Sequence, residues 1–537
     1  MSETSSSFGN HLERAACAMT SEKIPIANKS DVRLLERSLL IALGTLLLCL
    51  GVSGVSLWID EGFSVQLAVQ TSLTAWANTL SSMHGSDPQM PGYYLYLWVW
   101  ARVFGTSEWA LRLANVPWAV LFTASLAWGA ECVLDIRKAW LIICLSPFLW
   151  FYVNEARPYA MVMGLSMITT VAVVAYAADP KRFPRAPWWG MVSLLILWSA
   201  HMLTIVLAPS LLLFIYAMRT VSLKKFIKEW FFPVVVTAPC FVCLAAYYLY
   251  TLLGGRGGMI EKPGLLNLVF AIYEFLGFGG LGPPRNVLRE APSLHTFFPY
   301  LPTLALGIVA FGAVMLAILL RKRDSTERRV IFGLFVSFAA GLLLTLALSY
   351  AAHFRVLGRH MATFFPLFAL LLLTGLLTGN SLRHRKLVFC ALLLLGAAWS
   401  ISDFRQRLLR SYEKDDYRDA AALARGALVR GEFVLWLADT ETAMYYGLRI
   451  TDLPSPESVA PIDAMAAVSG ACSRSWFEQS FQMHRPVLIV ISDKPDLFDR
   501  DGNCRRTLDS LSMEHVASFP AFDAWQVTGV KSGSGNF

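Results

Sequence analysis

Residues 38–62 read SLLIALGTLLLCLGVSGVSLWIDEG, a long apolar run followed by two adjacent carboxylates. A helix needs roughly 20 apolar residues to cross a hydrocarbon core of about 30 Å, so residues 38–58 are predicted to span a membrane. The run is too long for the core of a signal peptide, and WIDEG offers no small-residue cleavage site. We therefore expect an uncleaved span that is followed directly by Asp60 and Glu61.

The composition agrees with a membrane protein. Of the 537 residues, 55% are hydrophobic and only 16% are charged, whereas soluble proteins carry about 25% charge. This excludes a disordered or fibrous chain and argues against a water-soluble enzyme. The formal net charge of +8 could indicate a nucleic-acid partner, but membrane proteins accumulate Lys and Arg in their cytoplasmic loops. We expect membrane lipids, and no nucleic acid, as partners.

Further apolar runs bring the predicted number of spans to about eleven. They lie near residues 111–133, 139–153, 158–178, 188–202, 203–218, 230–252, 298–320, 330–352, 360–378 and 387–402. With this set of spans, every Lys/Arg cluster between the runs falls on one side, which the positive-inside rule identifies as the cytoplasm. The N-terminus is therefore predicted to be cytoplasmic.

The predicted fold class is an α-helical polytopic membrane protein with a small C-terminal α/β domain. Residues 1–33 would form a disordered cytoplasmic tail, and residues 34–402 the membrane domain with outer loops 59–110 and 253–297. Residues 403–537 would form a periplasmic domain.

The aromatic run from Tyr93 to Phe104, YYLYLWVWARVF, allows two interpretations. As a full span it would invert all later segments and place most basic clusters outside. At about 12 residues and rich in Tyr and Trp, it is better interpreted as a helix lying in the outer interface. A short tilted span is the alternative.

The C-terminal segment changes character beyond residue 403. DDYRDAAALARGALVRGE has helical spacing, while FVLWLA, VLIVIS and HVASFPAFDAWQV are typical of strands. In an oxidising compartment Cys472 and Cys504 could form a disulfide, although a sequence does not give their distance.

No nucleotide-binding or zinc motif is visible: the chain has no G-x-G-x-x-G after a strand, no P-loop and no His/Cys spacing of a zinc site. The remaining candidates for a functional site are ionisable residues at the outer ends of the spans. The adjacent Asp60 and Glu61 should repel each other, and partial burial should raise the pKa of at least one of them, which suits a general base. A solvated helix end is the alternative.

Two more outer segments carry such residues. Asp87 lies in SDPQMPGYY, where prolines restrict the backbone, and a plain turn is the alternative. Glu155, Arg157 and Tyr159 lie in NEARPYA between two spans. Charged residues at such a depth usually face a protein interior or a cavity, although a structural ion pair would look the same.

Cations collect in the later outer loops. Arg forks match phosphate oxygens, so these cations indicate an anionic ligand, although any one of them could be an anchor that extends to the interface. They are Arg256, Lys262, Arg285, Arg289, His353, Arg355, Arg359 and His360.

The order of motifs resembles the GT-C superfamily of membrane glycosyltransferases. The motifs are W-x-D-E at the end of the first span, D-x-x-x-P-x-Y-Y, F-G-x-S-E-x-x-x-R, E-A-R-P-Y and a late G-R-H before a Pro-containing span. Within it, the chain resembles bacterial relatives of protein O-mannosyltransferases and of the lipid A aminoarabinose transferase. The resemblance covers roughly residues 35–400.

The resemblance implies a polyprenyl-phosphate-linked sugar as donor and an active site on the periplasmic face. Asp60 matches the catalytic Asp of the family, and Glu61 matches the second member of the pair. Asp87 falls on the Asp of a D-x-H-P-P element, but Gln89 and Met90 replace its His and first Pro. That departure puts in doubt any role that needs an imidazole there.

For the other residues, Glu155 corresponds to the acidic residue of the second outer loop, and the later Arg-rich loops resemble the lipid-phosphate site. The segment after residue 403 looks like the variable periplasmic domain of these enzymes.

The predicted function is therefore inverting transfer of a sugar to an envelope lipid, glycan or protein at the bacterial inner membrane. Asp60 would act as base, and Arg359 and Arg355, with Arg256 or Lys262, would stabilise the departing phosphate. Asp87 and Glu155 would orient hydroxyls, with Arg157 holding Glu155. A divalent metal is an open possibility. A transporter or flippase and a non-catalytic assembly subunit are the alternatives.

Overall fold

The computed structural model describes residues 29–134, 136, 138–254, 264–284, 287–288, 293–321, 323–377, 382–452, 465–469, 477, 485–494, 498–499 and 502–531. The predictions for residues 1–28 and for Arg256, Lys262, Arg285 and Arg289 lie outside these ranges. The predicted fold class is confirmed: a multi-pass helical body is joined to a small C-terminal domain that contains the sheet.

The helices of the body are numbered in chain order. They are α1 (Lys29–Cys49), α2 (Ile59–Ala68), α3 (Leu73–Ser82), α4 (Pro91–Phe104), α5 (Glu108–Leu113), α6 (Val116–Trp128), α7 (Pro147–Val153), α8 (Tyr159–Ala178), α9 (Ala186–Ala200), α10 (Leu207–Met218), α11 (Leu223–Leu253), α12 (Leu265–Phe275), α13 (Leu301–Leu319), α14 (Ser325–Ala352), α15 (Phe365–Leu377) and α16 (Leu382–Leu408). Short 3-10 turns connect several of them.

Seven helical segments of the described chain are long and apolar enough to cross a membrane. They are Glu108–Val133, Tyr159–Ala178, Leu223–Leu253, His295–Leu319, Ser325–Ala352, Gly358–Leu376 and His384–Leu408. The predicted count of about eleven is not confirmed. Residues 139–153 illustrate the reason, since Pro147 separates a 3-10 turn from the short helix α7. The aromatic helix α4 has only 14 residues.

The first predicted span differs most from expectation. Helix α1 ends at Cys49, and residues 52–58 form no regular secondary structure. Their backbone carbonyls cannot bond within a helix, and a buried carbonyl without a partner is costly. Three arginines supply the donors: Arg112 to Ser53, Val55 and Ser56, Arg407 to Gly51 and Val52, and Arg418 to Gly54.

Helix α8 lies at the centre of the body, with 94% of its apolar window buried. It packs against α6, α9 and the 3-10 turn Gly358–Phe364. Gly164 permits the close contact with α6, because a Cβ there would lie 2.8 Å from the carbonyl oxygen of Trp118. This packing brings the first residues of α8 next to the turn that carries Arg359.

The C-terminal domain consists of α17 (Tyr417–Val429), β1 (Phe433–Leu437), α18 (Thr440–Tyr445), β2 (Ile450–Asp452), β3 (Ala467–Ser469), β4 (Val487–Ser492), α19 (Asn503–Asp509), β5 (Leu511–Phe519) and β6 (Phe522–Val530). The strand order is β2-β3-β1-β4-β6-β5. The first four strands are parallel, with Trp436 opposite Val490, while β6 and β5 are antiparallel. Cys504 is disulfide-bonded, and its predicted partner Cys472 lies outside the described residues.

Helix α2 joins the two parts of the molecule. Ile59 belongs to the same apolar cluster as Trp436 and Phe522 of the C-terminal sheet. Gly62 lies so close to α18 that a Cβ on it would be 1.8 Å from the hydroxyl oxygen of Thr442. The C-terminal domain is therefore packed directly on the helix that carries the adjacent carboxylates.

Candidate active site

The first turn of α2 holds Asp60 and Glu61. Trp58 precedes the helix in extended conformation, and its backbone N–H donates to Oε2 of Glu61 at 3.3 Å. Acidic residues are favoured in a first turn because they bind free N–H groups and complement the positive end of the helix dipole. The sequence WIDE thus begins a helix and presents two carboxylates on different sides.

Asp60 forms an ion pair with Arg359, 299 residues later in the chain. Both side chains are partly exposed, at 21% for Asp60 and 24% for Arg359. Arg157 lies next to the pair and donates from Nη1 to the backbone carbonyl of Asp60 at 2.9 Å. A partly exposed carboxylate with an arginine on either side forms the centre of the candidate site.

The expected rise in carboxyl pKa is wrong for both residues. Burial raises the pKa of Asp60, but Arg359 and Arg157 outweigh it and leave that pKa below its ordinary value. For Glu61 burial also raises the pKa, and Arg112 outweighs it. A nearby opposite charge favours the ionised form, so both carboxylates are ionised at neutral pH.

Glu61 is enclosed, in contrast to Asp60. Its side chain has 0% exposure and that of Arg112 has 1%. Arg112 donates Nε to Oε1 at 3.0 Å and Nη2 to Oε2 at 2.6 Å, and the Ala156 N–H donates to Oε1 at 2.7 Å. Both oxygens of Glu61 are thus engaged with protein groups, which does not fit the predicted catalytic role.

Asp87, Arg157 and Tyr94 form a buried network. Asp87 lies in the 3-10 turn Asp87–Gln89, and its Oδ1 accepts from Nη1 of Arg157 at 2.8 Å and from the Tyr94 hydroxyl. Tyr94 is also 2.7 Å from Nη1 of Arg157. Met90, at the position of the family's first Pro, brings its sulfur to 3.8 Å from Nη2 of Arg157. The network fixes the arginine beside Asp60.

Arg157 and Glu155, which were expected to hold each other, form ion pairs with other residues. Arg157 pairs with Asp87, while Glu155 pairs with Lys414 at 2.7 Å. The ammonium of Lys414 also lies 4.2 Å from the ring centre of Phe151 and 5.1 Å from that of Trp58. The turn at Glu155 is therefore held by the segment that leads into the C-terminal domain.

Several buried polar atoms near Asp60 have no hydrogen-bond partner within the described chain. They are Nε of Arg157 and the hydroxyls of Tyr93 and Tyr159. The ring of Tyr93 lies 5.5 Å from that of Tyr94, whose hydroxyl contacts Arg157, and Tyr159 begins the helix two residues after Arg157. Buried polar groups are usually satisfied, so these donors are available to a polar ligand.

Two histidines border the same cluster. The ring centres of His201 and His360 are 6.4 Å apart. Nδ1 of His201 accepts from the Leu203 N–H at 3.2 Å, and Nδ1 of His360 accepts from the Leu357 N–H at 3.1 Å. A neutral ring that accepts at Nδ1 carries its proton on Nε2. Each ring is therefore a potential donor to a ligand.

His353 and Arg355, which were also predicted to bind the ligand, lie at the exposed edge of this cluster. His353 ends α14 in a left-handed conformation and is exposed. Arg355 is exposed but close enough to His360 to act on it electrostatically.

The described chain holds no group of three or more His, Cys, Asp or Glu residues that could bind a metal ion. Asp60 and Asp87, the carboxylates on the site, are each paired with an arginine. A divalent cation would have to displace a guanidinium from either one, so these residues do not fit a metal.

Sequence reasoning missed several residues that build the site. Arg112 lies in the motif F-G-x-S-E-x-x-x-R, which marked it without indicating its partner. Tyr93 and Tyr94 were assigned to a membrane interface, yet both are fully buried. For His201 and Lys414 the sequence carried no signal, because helix packing and domain docking decide their positions.

No protein-family model and no curated protein matches the sequence. Among solved structures, the chain is similar to ArnT from Cupriavidus metallidurans in the apo state, with 12% identity and a TM-score of 0.44 over 91% of this chain and 97% of that one. The same enzyme bound to undecaprenyl phosphate gives a TM-score of 0.40.

The arabinofuranosyltransferase AftD from Mycobacteria gives 13% identity and a TM-score of 0.41, over 92% of this chain and 40% of that one. Both enzymes belong to the GT-C group that the motifs resemble.

Proposed function

We propose that the protein is an inverting glycosyltransferase that moves a sugar from a polyprenyl-phosphate-linked donor to an acceptor hydroxyl at the periplasmic face of the bacterial inner membrane. The pairing of Asp60 with Arg359 carries the proposal. It joins a group that can take a proton to one that can bind phosphate, beside unpartnered donors suited to sugar hydroxyls.

Asp60 acts as the general base in this proposal. The acceptor oxygen attacks the anomeric carbon as its proton passes to the Asp60 carboxylate, and the bond between that carbon and the donor phosphate breaks. The products are the glycosylated acceptor and a polyprenyl phosphate that keeps the bonding electrons. One displacement without a covalent intermediate inverts the anomeric centre.

Arg359 links phosphate binding to the basicity of Asp60. In the ligand-free chain it holds the pKa of Asp60 below the ordinary value, which makes the carboxylate a weak base. A donor phosphate competes for the guanidinium, because phosphate binds arginine forks well. As Arg359 turns to the phosphate, Asp60 loses part of its positive surroundings and its pKa rises toward that of a useful base.

The remaining residues position these two groups. Asp87 and Tyr94 hold Arg157, whose Nε is left for the substrate, and Tyr93 and Tyr159 offer hydroxyls to the sugar. Glu155 is oriented by Lys414. Glu61 fixes α2 through Arg112 and takes no part in proton transfer.

The test uses the full chain, purified in lipid nanodiscs, with a panel of undecaprenyl-phosphate-linked pentoses and hexoses carrying a radiolabelled sugar. Envelope extract supplies acceptors. We expect labelled sugar to pass to an acceptor with the wild-type chain, whereas Asp60→Asn should lower the rate by about 10²–10⁴-fold, the usual contribution of a general base.

The matched control is Asp179→Asn, a carboxylate at the far end of α8 that caps a turn. It should transfer at the wild-type rate. Near wild-type transfer by Asp60→Asn would show that the base is another group. If the wild-type chain binds the lipid-linked sugar but transfers none of it, a transporter or an assembly subunit is favoured instead.

A further inference from the structure

The C-terminal sheet presents its ligand-binding edge to the candidate active site. In open α/β sheets, ligands bind at the carboxyl ends of the parallel strands. The neighbouring strands β1 and β4 end at Leu437 and Ser492. Asp439 follows β1 and caps α18, which packs on α2, and Lys494 follows β4. The carboxyl ends of β1 and β4 therefore face α2, the helix that carries Asp60. In other α/β domains this edge commonly binds a ligand.

Lys494 is a buried cation at this edge. Its side chain is 7% exposed and forms an ion pair with Asp415, which is equally buried. The same carboxylate oxygen of Asp415 is 3.5 Å from the backbone N–H of Ile59, the residue before Asp60. Burying an ammonium and a carboxylate together gives little or no net stability, so domain docking alone is a weak reason for this pair.

A cavity lies between Lys494 and the helical body. Its walls come from both parts of the molecule and include Trp58, Tyr152 and Glu274 of the helical body. Glu274 in turn lies against Gly358, where a Cβ would be 2.4 Å from its Oε2, and Gly358 precedes Arg359. Lys494 therefore lines a cavity whose wall includes Trp58, two residues before Asp60, and Glu274, which lies against the residue before Arg359.

On the basis of the proposed function, we propose that the C-terminal domain is part of the transfer site. Within it, Lys494 is a positioning residue that holds the first turn of α2 through Asp415 and keeps a positive charge near the Asp60 carboxylate. A domain that bound only its own ligand would leave α2 free of such a contact.

Asp60 is influenced by charged or titratable groups of five segments, and Lys494, which follows β4, is one of the cations among them. The other groups that act on this carboxylate remain when Lys494 is removed. They are Arg359 of the 3-10 turn, Arg157 of the turn before α8, the Tyr159 hydroxyl of α8 and Asp439 at the carboxyl end of β1. Since Arg359 and Arg157 remain when Lys494 is removed, the pKa of Asp60 should rise only in part.

The test compares Lys494→Met with Lys494→Arg in the purified full chain. The first readout needs no substrate: dicyclohexylcarbodiimide adds to protonated carboxyl groups, and mass spectrometry measures its rate of addition to Asp60 at pH 5. We expect a several-fold faster rate in Lys494→Met, because less positive charge leaves more of Asp60 protonated. Lys494→Arg should label at close to the wild-type rate.

Lys531→Met is the matched control, since Lys531 is an exposed lysine of the same domain that donates to the Asp509 carbonyl. It should label like wild type. Lys494→Gln, which keeps a hydrogen-bond donor for Asp415, takes the place of Lys494→Met if that variant does not fold. Equal labelling of Asp60 in all variants, together with a lower unfolding temperature of Lys494→Met, would show that Lys494 only docks the domain.

Transfer kinetics provide the second readout. In Lys494→Met the acid limb of kcat/KM should lie at higher pH than in wild type, and Lys494→Arg should restore it. A wild-type chain that transfers no sugar would contradict the proposed function, whereas the labelling experiment would still decide the role of Lys494. The two proposals can therefore fail separately.

Discussion

Asp60 and Glu61 are neighbours in the chain, but the two sides of the first turn of α2 are built differently. On one side, Asp60 and Arg359 are about one-fifth to one-quarter exposed and lie near unpartnered donors. On the other side, Glu61 and Arg112 are sealed from solvent, with every carboxylate oxygen engaged. A ligand can reach and separate the partly exposed ion pair of Asp60 and Arg359, which suits a catalytic role. The buried pair of Glu61 and Arg112 is inaccessible to a ligand, which suits a structural role.

The strongest test of this contrast is the stability of Glu61→Gln. Removing the charge leaves Arg112 buried without its partner, which should lower the free energy of unfolding by about 3–5 kcal/mol. Asp60→Asn affects a partly exposed pair and should cost no more than about 1 kcal/mol. Thermal unfolding of both variants in detergent measures the difference.

A double variant, Glu61→Gln with Arg112→Gln, checks the cause. It should be less destabilised than the sum of the single variants, because no buried charge is left alone. If Glu61→Gln unfolds like wild type, the enclosed pair is not an anchor and the contrast between the two sides fails.

Arg359→Gln tests the open side. It should weaken binding of undecaprenyl phosphate by about ten- to a hundredfold, since a hydrogen bond to a charged group contributes about 1.5–3 kcal/mol. Arg359→Lys keeps the charge but loses the planar fork, so its affinity should be intermediate. Fluorescence or calorimetric titration of the purified chain with undecaprenyl phosphate gives the values, and unchanged affinity in Arg359→Gln would place the phosphate elsewhere.

Gly62→Ala tests the contact that α2 makes with the C-terminal domain. A methyl group there would overlap the Thr442 hydroxyl oxygen at 1.8 Å and approach its Cα at 3.3 Å, so α18 must shift, at a cost of about 1–3 kcal/mol. Gly426→Ala on α17 is the control, because the nearest atom is the flexible end of Arg430 at 3.5 Å. It should be neutral or slightly stabilising, and equal unfolding temperatures of the two variants would contradict the close packing.

The smallest expected effect concerns pH. A general base must be ionised, and because arginines lower the pKa of Asp60, kcat/KM of the wild-type chain should persist below the ordinary carboxyl range near about pH 3.9. In Arg359→Gln the pKa of Asp60 rises, so the acid limb should move to higher pH. A limb that stays in place would mean that Arg359 does not control the ionisation of the base.

The same lowered pKa sets the direction of a stability effect. The contribution of the Asp60 ion pair is present above the unfolded carboxyl pKa and is lost as pH falls through the lower folded value. Unfolding temperatures of wild type and Asp60→Asn should therefore converge at acid pH.

Much of the architecture follows from local signals in the sequence. The apolar runs around residues 159–178 and 325–352 form long helices, and FVLWLA and VLIVIS form the buried parallel strands β1 and β4. The run at residues 38–58 was misjudged because hydropathy does not distinguish a helix from an apolar segment without regular secondary structure. Its carbonyls are satisfied by Arg112, Arg407 and Arg418, two of which come more than 350 residues later.

The candidate site was predictable as a set of residues and not as a set of contacts. The sequence indicated Asp60, Asp87, Arg157 and Arg359 because charged residues at the ends of apolar runs stand out from their surroundings. It suggested that Arg157 would hold Glu155, whereas Asp87 is the partner. Side chains two residues apart in a tight turn can point in different directions.

By itself, the amino-acid sequence determined that this chain enters a membrane several times and carries a small α/β domain, because hydropathy and periodicity are local properties. It also determined which ionisable residues were left for chemistry. The tertiary structure alone decided that Asp60 meets Arg359, that Glu61 is sealed by Arg112, and that Lys494 reaches α2 from the C-terminal domain. These pairs join residues far apart in the chain, and only the packing of helices and domains brings opposite charges within hydrogen-bonding distance.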